Sequence, residues 1–142
     1  MTPRSLMLSI VLDASAAVEL LLRTSAGART EAVLRGSRAA VPAHFDAEVF
    51  SALGRLVRAG ELKEERVEPL LGELARAPFD RYTLQPLLAP AWRLRHNLSL
   101  RDALYVALAR RLGALLVTAD GRLARAPALG VEVNCVGAPL AP

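Results

Sequence analysis

A three-layer α/β domain with a mainly parallel central sheet is the fold this sequence predicts. Three observations carry that expectation. The apolar runs at 8–12 and 114–118 have the length of buried strands. Segments with apolar residues at helical spacing alternate with them. The 142 residues match the size of one domain, taken as 1–142, and are few for two.

The first strand, 8–12, ends at Asp13 and leads at once into a helix over 15–22. A second helix is expected over 28–34, then a very short strand at Ala40-Val41 stopped by Pro42. From 45 to 59, Phe45, Val49, Leu53, Leu56 and Val57 share one helical face, and Gly60 is a fitting stop. A helix over 64–76 follows, with Pro69 delaying its start or kinking it. Alternation over 79–84 predicts a third strand, and Pro86 opens a helix carrying Leu87, Leu88, Trp92 and Leu94. Ser99 then caps the clearest helix of the chain, which ends at Gly113. A strand over 114–118, an Asp120-Gly121 turn, a short helical turn and a strand over 131–136 complete the sheet.

Composition bounds the function. Apolar residues make up 53% and aromatics 4%, so the core is built from Leu, Val, Ile and Ala. The net charge is +4, and all but one of the 18 basic residues are Arg, which suits bidentate contact with phosphate. The same Arg- and Ala-rich composition arises throughout a GC-rich genome, so charge alone does not decide. Cys135, the one cysteine, lies in an apolar run where a buried, inert thiol is expected. The N-terminal apolar stretch is broken by Asp13 and lacks a small-residue cleavage site, so it reads as a strand and not a signal peptide. No apolar run of the sequence reaches the roughly 18 residues of a membrane helix, and a cytoplasmic protein is expected.

In parallel α/β sheets the functional crevice forms at the carboxyl ends of strands. Four acids fall there. Asp13 terminates strand one, Asp120 follows the 114–118 strand, Asp102 sits in the first turn of the helix entering that strand, and Glu48 sits in the first turn of the helix after Val41. Each has a plain structural alternative: Asp13 as a helix cap, Asp102 within a Ser99-x-x-Asp102 capping box, Asp120 in an Asp-Gly turn, Glu48 as an anion at a helix N-terminus. Those alternatives do not predict all four on one side of a sheet. Clustered carboxylates repel unless a cation lies between them, and they are suitable ligands for Mg²⁺ or Mn²⁺. Asp46 lies about 160° around the helix from Glu48 and is left out.

The segments Leu12-Asp13-Ala14-Ser15, Ala47-Glu48, Arg101-Asp102-Ala103-Leu104-Tyr105-Val106-Ala107-Leu108-Ala109 and Leu116-Val117-Thr118-Ala119-Asp120-Gly121-Arg122-Leu123 resemble PIN-domain proteins, and among these the VapC-type toxins of bacterial toxin–antitoxin pairs. The resemblance extends over nearly the whole chain. It implies a PIN-like fold and an endoribonuclease with a Mg²⁺ or Mn²⁺ site. Asp13, Glu48 and Asp102 would be the core acids and Asp120 the fourth. Asp13 and Asp102 would be the main metal ligands, Glu48 a ligand or the group deprotonating water, and Asp120 would act through water or a second ion. Thr118 occupies the family's Ser/Thr position and is counted with the catalytic set. Ser15 matches the polar residue after the first acid, and either hydroxyl orients water or phosphate or merely closes a strand end. Cleavage leaving a 5′-phosphate and a 3′-hydroxyl, a cognate VapB-type antitoxin and a homodimer are also implied. A non-toxin PIN nuclease of RNA processing and a non-cutting RNA- or protein-binding scaffold are the alternatives.

Arg101, Arg122 and Arg125 flank the acids, to hold RNA phosphates or to offset carboxylate charge. His44 lies one turn before Glu48, where a plain helix-edge histidine is favoured over contact with the site or RNA. Trp92 and Tyr105 are spaced like core residues. The stretch Leu20-Leu21-Leu22 with Val33-Leu34 is more apolar than one buried face requires, so a partner helix is expected to cover the surplus. Two other classes fit poorly. A receiver-type phosphoacceptor needs a lysine after a later strand, whereas the sole lysine, Lys63, falls in a helical region. A nucleotide-binding loop needs glycines after strand one, and Asp13-Ala14-Ser15-Ala16-Ala17 has none.

Overall fold

The computed structural model describes residues 9–127 and 129–137. Five strands form one wholly parallel sheet: β1 (Ser9–Leu12), β2 (Arg38–Pro42), β3 (Asp80–Tyr82), β4 (Leu115–Thr118) and β5 (Val133–Cys135). Their order is β3-β2-β1-β4-β5. The chain steps outward from β1 to β2 and β3, then returns to the other side of β1. The switch in direction falls between β1 and β4, where a parallel sheet opens a crevice at its carboxyl edge.

The connecting helices are α1 (Ala14–Leu22), α2 (Ser25–Leu34), α3 (Phe45–Arg58), α4 (Val67–Arg76), α5 (Gln85–Trp92), α6 (Leu100–Leu112) and α7 (Gly121–Arg125). α1 packs on α2, α3 and α4, whereas α6 packs on α5 and against β1, β2 and β4. Helices thus flank the sheet in the expected three layers. α6 is buried from Ala103 through Ala109, a run without a charge between Asp102 and Arg110. Buried all round over this run, it lies between the sheet and α5.

Several elements differ from expectation for local reasons. α2 begins at Ser25 because the Thr24 hydroxyl accepts the Gly27 N–H and caps it. β2 is longer than Ala40-Val41 and includes Pro42, whose missing N–H is tolerated at the strand's last residue. Pro69 stands in the first turn of α4, after a 3-10 turn at Glu64–Arg66, and breaks nothing. β3 shortens to three residues, and Leu84 already caps α5. The expected start of strand one at Leu8 lies outside the described residues.

Burial brings further corrections. Cys135 is exposed, because β5 is an edge strand, while the next residue, Val136, is buried. Trp92, expected in the core, keeps 55% of its surface exposed at the end of α5. The early apolar surplus is largely consumed by packing: Leu21 is buried, and Leu22, Val33 and Leu34 pack on the core. Exposed large apolar side chains lie elsewhere, at Phe50, Tyr82, Leu88, Trp92 and Leu100. Among the described residues, no helix is long and apolar enough to cross a membrane.

The α1–α2 joint depends on one glycine. A Cβ at Gly27 would lie 2.1 Å from the Glu19 carbonyl oxygen, which also receives N–H groups at the end of α1. Gly27→Ala is therefore expected to destabilise the protein by about 1–3 kcal/mol through overpacking. Gly54→Ala, inside α3 and facing only the Arg58 side chain, should stabilise it by about 0.5–1 kcal/mol. Urea unfolding midpoints of the two variants, moving in opposite directions, would check both.

Candidate active site

Asp13 ends β1, and its N–H continues the ladder to the Val117 carbonyl. Although it occupies the cap position of α1, its side chain makes no cap hydrogen bond. Instead Oδ2 accepts the Ser15 hydroxyl at 2.5 Å and the Thr118 hydroxyl at 2.7 Å. The backbone N–H groups of Ala119 and Asp120 donate to the Ser15 and Thr118 hydroxyl oxygens in turn. Each hydroxyl therefore accepts from backbone and donates to the acid, which fixes its proton direction. Asp13 is only 5% exposed, and Thr118 is fully buried. Burial pushes the Asp13 carboxyl above its ordinary pKa; the two hydroxyls oppose this, and the charges of Asp102 and Glu48 add to it.

Asp102 is half-buried at the start of α6, where the buried run begins. Its backbone N–H is received by the Ser99 hydroxyl, so the cap expected from the sequence is present. Its carboxyl is likewise raised, first by burial and then by Asp120 and Glu48, against the effect of Ser99 and Arg101. Asp120 caps α7, with Oδ1 accepting the Arg122 N–H. For these two acids the structural and the functional readings hold together, because a cap uses one group and leaves carboxylate oxygen to spare.

Glu48, in the first turn of α3, is held from behind. Tyr105 of α6 donates its hydroxyl to Oε1 at 2.7 Å, and His44 Nε2 stands 3.4 Å from the same oxygen. Arg101 Nη1 is 3.8 Å from Oε2. The His44 ring packs on Tyr105 with centroids 4.9 Å apart, its Nε2 lies 3.2 Å from the Arg101 carbonyl, and its buried Nδ1 has no hydrogen-bond partner. Burial, and then the neighbouring Glu48, push the Tyr105 hydroxyl far above its usual pKa, so it keeps its proton and donates it to Glu48. His44 is thus no plain helix-edge residue. Tyr105 is core, as expected, but its hydroxyl serves Glu48. The signal was available: a tyrosine inside an apolar helical run needs a polar partner. Asp46 points elsewhere and pairs with Arg81 at 2.6 Å.

Asp13, Glu48, Asp102 and Asp120 line one open cleft of about 910 Å³. Arg55, Arg95, Arg101 and Arg122 line it too, and Arg55 and Arg95 are additions that the sequence did not suggest. Arg125 is not among the lining residues: its guanidinium folds back over Gly121 one turn earlier. Among the described residues, no three His, Cys, Asp or Glu side chains close into a ready-made metal shell. The acids ring the cleft without meeting at a point. The donor set nevertheless fits a hard divalent cation: it offers only carboxylate oxygens, and two of the acids are destabilised as anions by burial and by one another.

A family model for the PIN domain matches residues 10–129. Ribonuclease VapC3 of Mycobacterium tuberculosis is 54% identical over 120 residues, covering 82% of this chain and 86% of its own. Ribonuclease VapC12 of the same organism is 41% identical over 127 residues, covering 89% and 98%. Among solved structures, VapBC2 from Rickettsia felis, bound to a DNA fragment from its promoter, matches with a TM-score of 0.62 and 15% identity over 90% of this chain and 98% of that one. At that identity the likeness bears on the fold alone. The chain belongs to the PIN-domain family, in its VapC branch.

Proposed function

We propose that this chain, acting as one nuclease domain, is a VapC-type endoribonuclease that hydrolyses RNA with Mg²⁺ or Mn²⁺ held among Asp13, Glu48, Asp102 and Asp120. The observation that carries the reading is the convergence of these acids on one cleft at the β1/β4 switch. The ribonuclease names of relatives 54% and 41% identical support it.

When bound, the cation would supply a more acidic water and offset charge on the phosphoryl oxygens. Ser15 and Thr118 hold Asp13 through Oδ2, leaving Oδ1 for a ligand. We therefore assign Thr118 to fixing Asp13, since its buried hydroxyl is already engaged. Tyr105 holds Glu48 through Oε1, which leaves Oε2, 3.8 Å from Arg101 Nη1, to take a proton from the attacking water. Attack in line forms the new P–O bond as the P–O3′ bond breaks, and the departing O3′ takes a proton from solvent, yielding a 5′-phosphate and a 3′-hydroxyl. Arg101 and Arg122 are placed to hold flanking phosphates.

A restraining partner completes the reading. The structural neighbours include VapBC assemblies and a toxin–antitoxin complex, and Phe50 and Leu100 offer exposed apolar surface to a VapB-type antitoxin or a second copy of this chain. As a toxin acting on RNA it would work in the cytoplasm, where its substrate is.

Purified, antitoxin-free protein incubated with total RNA and Mn²⁺ should give discrete fragments that vanish with chelator. Asp102→Asn, which keeps the side-chain shape, should reduce the rate by roughly 10- to 100-fold or more, the scale for losing even an indirect metal contact. Persistent cleavage by Asp102→Asn, or cleavage in chelator, would sink the proposal.

Asp13 also links activity to stability. Between its ordinary and its raised pKa the folded chain binds more protons than the unfolded one, so metal-free stability falls as pH rises through that window. Acidification from neutral pH should therefore stabilise the metal-free protein until other groups titrate. Asp13→Asn should melt at a higher temperature than wild type at neutral pH, show a shallower pH slope, and lose cleavage; thermal melts in chelator check this.

A further inference from the structure

The chain has one tryptophan, and it stands exposed beside the cleft. Trp92 ends α5, and the Arg95 guanidinium lies 4.7 Å from the centre of its ring. Arg95 also donates Nη1–H to the Trp92 carbonyl at 3.0 Å, so two contacts hold cation and ring together. Arg95 itself lines the cleft that holds the four acids, as do His96 and Asn97 after it. Among the described residues, Arg95 has no carboxylate partner. From Arg81 to Arg101 the sequence contains no Asp or Glu, although both Arg93 and Arg95 follow the tryptophan directly.

An aromatic ring bracketed by an arginine, on an acid-free segment leading into a catalytic cleft, has the chemistry that receives an unpaired nucleobase. Bases of single-stranded RNA stack on aromatic faces and on guanidinium planes, and nearby cations hold the phosphates between them. We infer that Trp92 and Arg95 form a stacking platform that takes an unpaired base of single-stranded RNA at the edge of the acid-lined cleft. This rests on the ribonuclease reading and deepens it by naming how substrate enters: as an unpaired segment, with a base on Trp92 and its phosphate near Arg95. An apolar protein partner is the competing occupant, since Leu88, one turn earlier on α5, is also exposed. RNA is favoured because the cation that holds the ring belongs to the same cleft wall as the acids.

As the only tryptophan, Trp92 is its own reporter. The full chain in chelator, where cleavage is blocked, is titrated with oligoadenylate about 12 nucleotides long, following tryptophan emission and the anisotropy of labelled RNA in parallel. Stacking predicts that emission is quenched along the same curve as binding. Trp92→Leu, which keeps apolar bulk but removes the π face, should weaken binding about tenfold or more, and Trp92→Phe should restore most of it. Arg95→Ala should weaken both binding and quenching, and circular dichroism checks that each variant is folded. Saturable binding without quenching, equal affinity for Trp92→Leu, or absence of RNA binding would overturn the platform. So would a Trp92→Leu variant that keeps RNA binding but loses the antitoxin, which would assign the patch to protein. The nuclease reading is judged separately by cleavage in Mn²⁺: quenching without cleavage leaves the platform standing, and cleavage without quenching removes the platform alone.

Discussion

A carboxylate taken out of water is costly unless hydrogen bonds or a counter-charge replace its hydration. Asp13 is such a group, and the active edge of the sheet is organised around it. It stands at the carboxyl end of the central strand, where the change in winding direction opens the crevice. Two hydroxyls converge on one of its oxygens, one from the following helix and one from the end of β4. Both are oriented by the backbone amides of residues 119 and 120. The network ties β1 to β4 just beyond their last paired residues, so the acid's position is set by the sheet and not by a mobile loop. Two donors on one oxygen only partly compensate burial, and the carboxyl stays raised. That residual strain is what a cation would relieve.

The other acids surround this fixed point with decreasing constraint. Glu48 is braced by Tyr105 from the buried helix α6, so α3 and α6 meet at one carboxylate. Asp102 and Asp120 each sit at a helix start, Asp102 in the capping box that Ser99 closes and Asp120 capping its own helix. Arginines occupy the same walls, and the cleft therefore pairs an acidic centre with a basic margin. A polyanion drawn by the margin and a cation held at the centre are the two ligands that such a field accommodates. Trp92 and Arg95 stand together at that margin, alongside Arg101 and Arg122.

How much of this could be read from the sequence follows from what periodicity and caps encode. Strand ends at Asp13 and Thr118 were plain, because a short apolar run followed by a polar residue marks the edge of a buried parallel strand. Ser99 and Gly113 marked α6 for similar local reasons. The four acids were legible through their positions relative to those ends. Trp92 was not, because helical spacing says which residues share a face but not which face meets the core. Cys135 misled for a related reason: an apolar run does not reveal that its strand lies at the sheet edge. The His44–Glu48–Tyr105 group joins residues 57 positions apart, and only the tertiary fold brings the start of α3 to α6. The cleft-lining roles of Arg55 and Arg95 depend on tertiary geometry in the same way.

The most direct test of this account is calorimetric titration of the metal-free protein with Mn²⁺, in buffers of different ionisation enthalpy. If the acids form one cation site, wild type binds Mn²⁺ with release of protons and more weakly in mildly acidic than in neutral buffer, while Asp13→Asn and Asp102→Asn each lose most of that affinity. Binding that is independent of pH and unchanged in both variants would contradict it.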